Sequence, residues 1–277
     1  MTKARGAPVN QPQDQLTTDA GPATAIYLYG FAPAAAAGLP PAMPAVDDGT
    51  LTVHRHADLA ALVSAVPRAS YEGERGEAHL ADIGWVGPRA LRHQAVLDAA
   101  RQTTTIVPLP FATLFSSIAA LDAEMVRRGD TIRALLRRLT GCSEWALQAR
   151  LDHAAALDAQ VRGAIADGRF VPPAAAGRRH LEEQRLRRAL ARETQTWVAR
   201  RVAALAAALQ EHCRDFVERR LPVGQGLALN WALLVPDVNA ARLNETIAAH
   251  TPALAADGLH LTCKGPWPGY SFSSLSS

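Results

Sequence analysis

Apolar positions along this chain fall into short extended runs separated by longer stretches of helical spacing. Ala25-Ile26-Tyr27-Leu28-Tyr29-Gly30-Phe31 is β-branched and aromatic and predicts a buried first strand. A proline- and alanine-rich loop over 32–44 and a turn at Asp47-Asp48-Gly49 lead to a second strand over 50–54. Asp58 stands where a helix N-cap belongs, ahead of Leu59, Leu62, Val63 and Val66 at helical spacing, with Pro67 as the stop. The charged stretch 70–78 contains Gly73 and Gly76 and reads as a mobile loop. A helix over 88–101, a strand over 103–107 halted by Pro108 and Pro110, and a long helix over 116–139 closed by Gly141 complete the first half.

The second half opens with Trp145, Leu147, Ala149 and Leu151 alternating with polar neighbours, the period of a half-buried strand. Asp152 caps a helix that Gly168 ends. After Pro172-Pro173 the stripe Leu186, Leu190, Val198, Val202, Leu205, Leu209, Cys213 and Phe216 predicts one helix from about 178 to 220. At ~1.5 Å per residue it spans roughly 60 Å, so part of it projects or pairs with the 152–166 segment as a coiled coil. A strand over 226–235, a helix over 238–250 and a strand over 258–264 follow. The expected fold is α+β with two domains. These are an N-terminal α/β-type unit over 24–141 and a C-terminal ferredoxin-like unit over 142–277, the latter carrying a helical insert over about 152–220.

Composition narrows the class. The chain has 277 residues, 48% hydrophobic and 20% charged, which suits a globular protein able to bury its cores. No apolar run approaches the roughly 18 residues of a membrane span. Residues 1–23 are polar, lack the apolar core of a secretory signal and read as a disordered tail. Cys142, Cys213 and Cys263 are odd in number and far apart, against a disulfide framework or zinc site and in keeping with a reducing, cytoplasmic compartment. A net charge of +3 carried almost wholly by arginine favours acidic partners only weakly.

Candidate chemistry is sparse. His54 and His56 share a strand face, but no third metal ligand follows at suitable spacing. His93 reads as an exposed or edge helix residue before it reads as a general base, because no nucleophile motif accompanies it. Phosphate-binding, dinucleotide-binding and nucleophile-elbow motifs are missing. No catalytic residue, metal, cofactor or small-molecule substrate is therefore expected. The arginines from Arg178 to Arg201 could track a phosphate backbone, which makes nucleic-acid binding the alternative function. Glutamates interspersed at helical spacing and the scarcity of aromatics, with Trp197 alone placed to stack a base, favour a salt-bridged helix face. The segment around Leu205 and Leu209 is apolar nearly all round, so it is buried against this chain or bound by a partner.

The chain's ending is its most specific feature. In Gly265-Pro266-Trp267-Pro268-Gly269-Tyr270-Ser271-Phe272 three aromatics crowd into eight residues of a chain only 5% aromatic. Proline cannot sit in a central strand, so the segment is expected to be a stiff, non-regular cap. Trp267, Tyr270 and Phe272 either pack down as that cap or present a contact surface.

Six stretches together resemble the GvpF/GvpL family of gas vesicle proteins. In order they are 27–31 (Tyr27 to Phe31), 58–64 (Asp58 to Ser64), 93–97 (His93 to Leu97), 106–115 (Ile106 to Phe115), 229–235 (Leu229 to Val235) and the terminal motif. The family tends to have proline where Gly269 stands, and R-F-G-T where this chain has Pro110-Phe111-Ala112-Thr113. The resemblance implies a two-domain α+β protein with long paired helices. It also implies a non-enzymatic minor or assembly component of the gas vesicle, which contacts the hydrophobic shell-forming protein and other vesicle accessory proteins.

Overall fold

The structure, a computed structural model, describes residues 24–35, 43–222, 224 and 226–274. The expected N-terminal tail and part of the 32–44 loop lie outside these residues. The chain forms two compact units: one holds the described residues up to Thr104 together with Leu109–Arg133, and the other holds Thr105–Pro108 and Ala134 onward.

The first unit is built on strand β1 (Thr24–Pro33), paired antiparallel with β3 (Leu59–Pro67), which pairs antiparallel in turn with β2 (Thr52–His56). Nearly every residue of β1 and β3 is buried. Such strands read as continuous apolar runs, because each face meets other structure. That accounts for the first correction: the helix expected behind Asp58 is strand β3, since Leu59-Ala60-Ala61-Leu62-Val63 is apolar on both faces and its periodicity decides nothing.

The expected loop over 70–78 is largely helix α1 (Gly73–Ala81), and the next helix, α2 (Ile83–Thr103), starts five residues before Pro88. Asp82 caps α2 by accepting from Gly84 N–H at 2.8 Å. The strand expected over 103–107 is only the two-residue β4 (Val107–Pro108), because α2 consumes its first residue. Another two-residue strand, β5 (Leu114–Phe115), pairs with β1. Helix α3 (Ile118–Leu139) agrees with its expected span, and its first sixteen residues belong to this unit.

The second unit begins with β6 (Cys142–Leu151), then α4 (His153–Ala166), α5 (Ala176–Ala191), α6 (Thr194–Gln210), β7 (Asp215–Glu218), β8 (Leu227–Pro236), α7 (Ala240–Ala256) and β9 (Leu259–Trp267). The strands form one antiparallel sheet ordered β7-β8-β6-β9. With the helical insert counted as one step, this is the β-α-β-β-α-β order of a ferredoxin-like arrangement. The core joins Leu147 and Ala149 of β6, Leu229, Trp231, Leu233 and Val235 of β8, and Val198, Val202, Leu205 and Leu209 of α6. Leu243, Ile247 and Leu254 of α7 complete it.

Two further expectations fail here. The single helix over 178–220 is broken between Ala191 and Thr194, and its last part is strand β7; its first part, α5, packs on α4. The ending is regular further than expected: β9 runs through Pro266 to Trp267. It can do so because β9 is an edge strand, where a residue without an N–H leaves no ladder bond unmade.

Candidate functional site

In the first unit the residues carrying the family resemblance converge on one buried polar and aromatic cluster. Tyr27 and Tyr29 of β1 meet His93 of α2, with ring centroids 5.7 Å and 5.4 Å away, and Phe111 closes on Tyr27 and His93 at about 6 Å. His93 is 3% exposed, so its reading as a surface residue is corrected. A carbonyl oxygen only accepts, so the 3.2 Å contact with Leu109 O fixes Nε2 as the protonated nitrogen. Nδ1 then accepts from the Tyr27 hydroxyl at 2.9 Å, whose oxygen accepts from Ala112 N–H at 3.1 Å. Burial holds this imidazole neutral and pushes its pKa down to about 4. The arrangement ties the 109–113 loop to the sheet.

Beside it, the Tyr71 hydroxyl donates to Asp47 Oδ2 at 2.7 Å and Arg89 Nε donates to Asp47 Oδ1 at 2.7 Å. The Arg89 guanidinium lies 4.0 Å over the Trp85 ring, which stacks on His79 at 4.8 Å. Burial, with Asp47 as hydrogen-bond acceptor, drives the Tyr71 phenol above its ordinary range. His54 and His56 do find a shared partner that spacing could not reveal: Asp122 Oδ1 of α3 sits 2.6 Å from His54 Nε2 and 3.1 Å from His56 Nδ1. Even so, no group of three or more His, Cys, Asp or Glu among the described residues is arranged to hold a metal ion. Burial pushes the Cys213 and Cys263 thiols up to about 11, away from the thiolate form that nucleophilic chemistry needs.

The outer side of α1 and α2 differs sharply. Ile83 is 81% exposed and Leu91 73%, at positions four residues either side of Gly87, with exposed Ala95 one turn further on and Leu80 41% exposed on α1. Four-residue spacing aligns Ile83, Gly87, Leu91 and Ala95 on one helix face, while His93, Val96, Leu97 and Ala100 form the buried face. Apolar residues on both sides of one helix hide this stripe from any periodicity argument. It was not among the sequence candidates.

In the second unit the terminal motif is latched by Glu144, a β6 residue only 2% exposed. Alternation places Glu144 on the sheet face opposite Leu147 and Ala149. Its carboxylate pairs with Arg219 and accepts from Ser271 N–H at 2.7 Å and Ser271 Oγ at 3.0 Å. Ser273 Oγ donates to Pro108 O at 3.2 Å. Gly265, at φ 150°, lies where a Cβ would come within 2.9 Å of Glu144 O. Phe272 is 3% exposed with the Arg138 guanidinium 5.7 Å from its ring, Tyr270 is half-buried, and Trp267 at the end of β9 is 37% exposed.

Leu205 and Leu209 are fully buried in the core, so neither can be a partner's contact surface; the exposed part of that turn is alanine. Trp197 is half-buried against the same core and, with Arg169, Arg200, Arg201 and Asp257, lines a groove of about 550 Å³. Structure thus brings Trp197, Leu205 and Leu209 to one core and Tyr270 and Phe272 to one cap, and it leaves Trp267 at the rim.

The family model described as gas vesicle synthesis protein GvpL/GvpF matches residues 25–274. A gas vesicle protein L from a Streptomyces species is 26% identical over 233 residues, 80% of this chain and 82% of that protein. The crystal structure of gas vesicle protein GvpF from an Anabaena species superposes with a TM-score of 0.67 at 16% identity, covering 92% of this chain and 98% of that one. GvpF from Microcystis aeruginosa gives 0.63 at 17% identity, covering 91% and 99%. At those identities the two structures establish a shared fold of helices and antiparallel sheets.

Proposed function

This chain belongs to the GvpL/GvpF family of gas vesicle proteins, and on that premise we propose that it is a non-enzymatic minor or assembly component of the vesicle. In this reading it binds the hydrophobic shell-forming protein during nucleation and assembly, in the cytoplasm, alongside other vesicle accessory proteins. No helix among the described residues is long and apolar enough to cross a membrane.

The observation that carries the reading is the stripe of exposed Ile83, Leu91 and Ala95 with half-buried Gly87 between them. Two large apolar side chains, Ile83 and Leu91, more than two-thirds exposed on a helix whose other face is buried, are suited to an apolar partner. The buried Tyr27–His93 network supports the rigidity of the helix that presents it. The terminal motif takes a different role: Glu144 and Ser271 hold it down, so Tyr270 and Phe272 cap their own unit.

The test is capture of the shell protein by the full chain, compared with an Ile83→Asp/Leu91→Asp variant, together with vesicle counts in a deletion strain complemented by each. Loss of capture and of vesicles with the variant is expected. Normal vesicles in the deletion strain together with no detectable capture by the unaltered chain would sink the proposal.

A further inference from the structure

Helix α5 sorts its arginines into two sets. Arg187 faces inward and is tied to Asp158 of α4 and Glu183, and Arg179 donates to Pro173 O at 3.0 Å. Arg178, Leu181, Arg185, Arg188 and, at the C-cap of α5, Arg192 all point outward and are exposed, Leu181 to 62%. Among the described residues the side chains of Arg178, Arg188 and Arg192 make no hydrogen bond or ion pair. Arg185 has only Glu182 at 3.1 Å, one turn away. The outward set is therefore not spent on folding. Residues 176–192 hold six arginines against two glutamates, a surplus larger than the +3 of the whole chain.

Spacing carries the next step. Positions 178, 181, 185, 188 and 192 are separated by three, four, three and four residues. That is the mean 3.5-residue repeat of a helix face that lies along another helix, and it extends about 21 Å. A leucine at the second position gives the stripe one apolar contact. It has no aromatic on which the bases of a single strand could stack. We propose that the outward stripe of α5 docks an acidic amphipathic helix of a partner protein, with carboxylates facing the arginines and an apolar residue facing Leu181. This site is independent of the α2 stripe.

The experiment uses the full chain and a synthetic helical peptide of about 18 residues, with glutamates and one leucine at matching heptad positions and a scrambled control, read by fluorescence anisotropy. Saturable binding is expected. It should weaken at least about tenfold between low and high salt and by a similar factor in R178E/R188E/R192E. The neutral variant R178Q/R188Q/R192Q should lie between, with melting temperatures of both variants unchanged and shell-protein capture retained. Equal binding of peptide and scrambled control, equal binding by wild type and charge-reversed chain, or no binding overturns the proposal. Tighter retention of duplex DNA or single-stranded RNA than of the peptide, lost in the same variant, overturns it in favour of a nucleic acid.

Discussion

Glu144 of β6 and Ser271, separated by 127 residues in sequence, are joined by two hydrogen bonds, and this contact latches the 270–272 segment to the second unit's sheet. Arg219 supplies the charge that makes a carboxylate 2% exposed tolerable. Removing one member of a buried ion pair leaves the other without compensation. Glu144→Ala is therefore expected to cost on the order of 3 kcal/mol, read as a lower urea midpoint with an unchanged slope. The same variant should expose the terminal motif to limited proteolysis. A midpoint within error of wild type would show that the latch contributes nothing.

His93 makes the first unit sensitive to acid. Its folded pKa, near 4, lies below the ordinary value of 6.5, so between these pH values the unfolded chain binds more protons than the folded one. Stability is then lost as pH falls through that window and is unaffected by this group above it. The full shift corresponds to on the order of 3 kcal/mol. Urea midpoints measured from pH 7 to pH 4 should fall, and His93→Gln, which cannot be protonated, should flatten that dependence. An equal slope in both proteins would remove His93 as its cause.

Gly76 of α1 sits where a Cβ would lie 2.2 Å from the Tyr71 backbone carbon. The three nearest atoms are all Tyr71 backbone, so the backbone has to move. Gly76→Ala, which would ordinarily favour a helix, is expected instead to destabilise by about 2–3 kcal/mol. Gly163 of α4 has open space around its Cβ position, and Gly163→Ala is the control that should hold or raise the melting temperature.

These contrasts show where the sequence was legible. The order and approximate spans of β6, α4, β8, α7 and β9 follow from Asp152, Gly168 and the alternation of large apolar side chains about Leu147 and Leu229, which survives because the intervening positions, such as Gln148 and Asn230, are polar or small. Strand β3 escapes a reading by periodicity because burial on both faces erases its period. Arg192-Glu193 as a break between α5 and α6 has no proline or glycine to announce it. The α2 stripe and the outward face of α5 are a matter of what other elements leave uncovered, and no local pattern encodes that. Asp122 beside His54 and His56 is a 68-residue separation closed only by tertiary folding.

The terminal aromatics separate into two kinds, and truncation should divide them. Phe272, 3% exposed beside Arg138, is expected to cost about 3–5 kcal/mol as Phe272→Ala, the usual range for emptying a buried aromatic site. Trp267 ends an edge strand with 37% of its surface in solvent. Trp267→Ala should then cost only about 1 kcal/mol, since much of its surface is never removed from water. Both proteins, kept folded below their melting temperatures, should still capture the shell protein through Ile83 and Leu91. A Trp267→Ala chain of near-normal stability that no longer captures it would move the contact surface from α2 to the rim of the terminal motif.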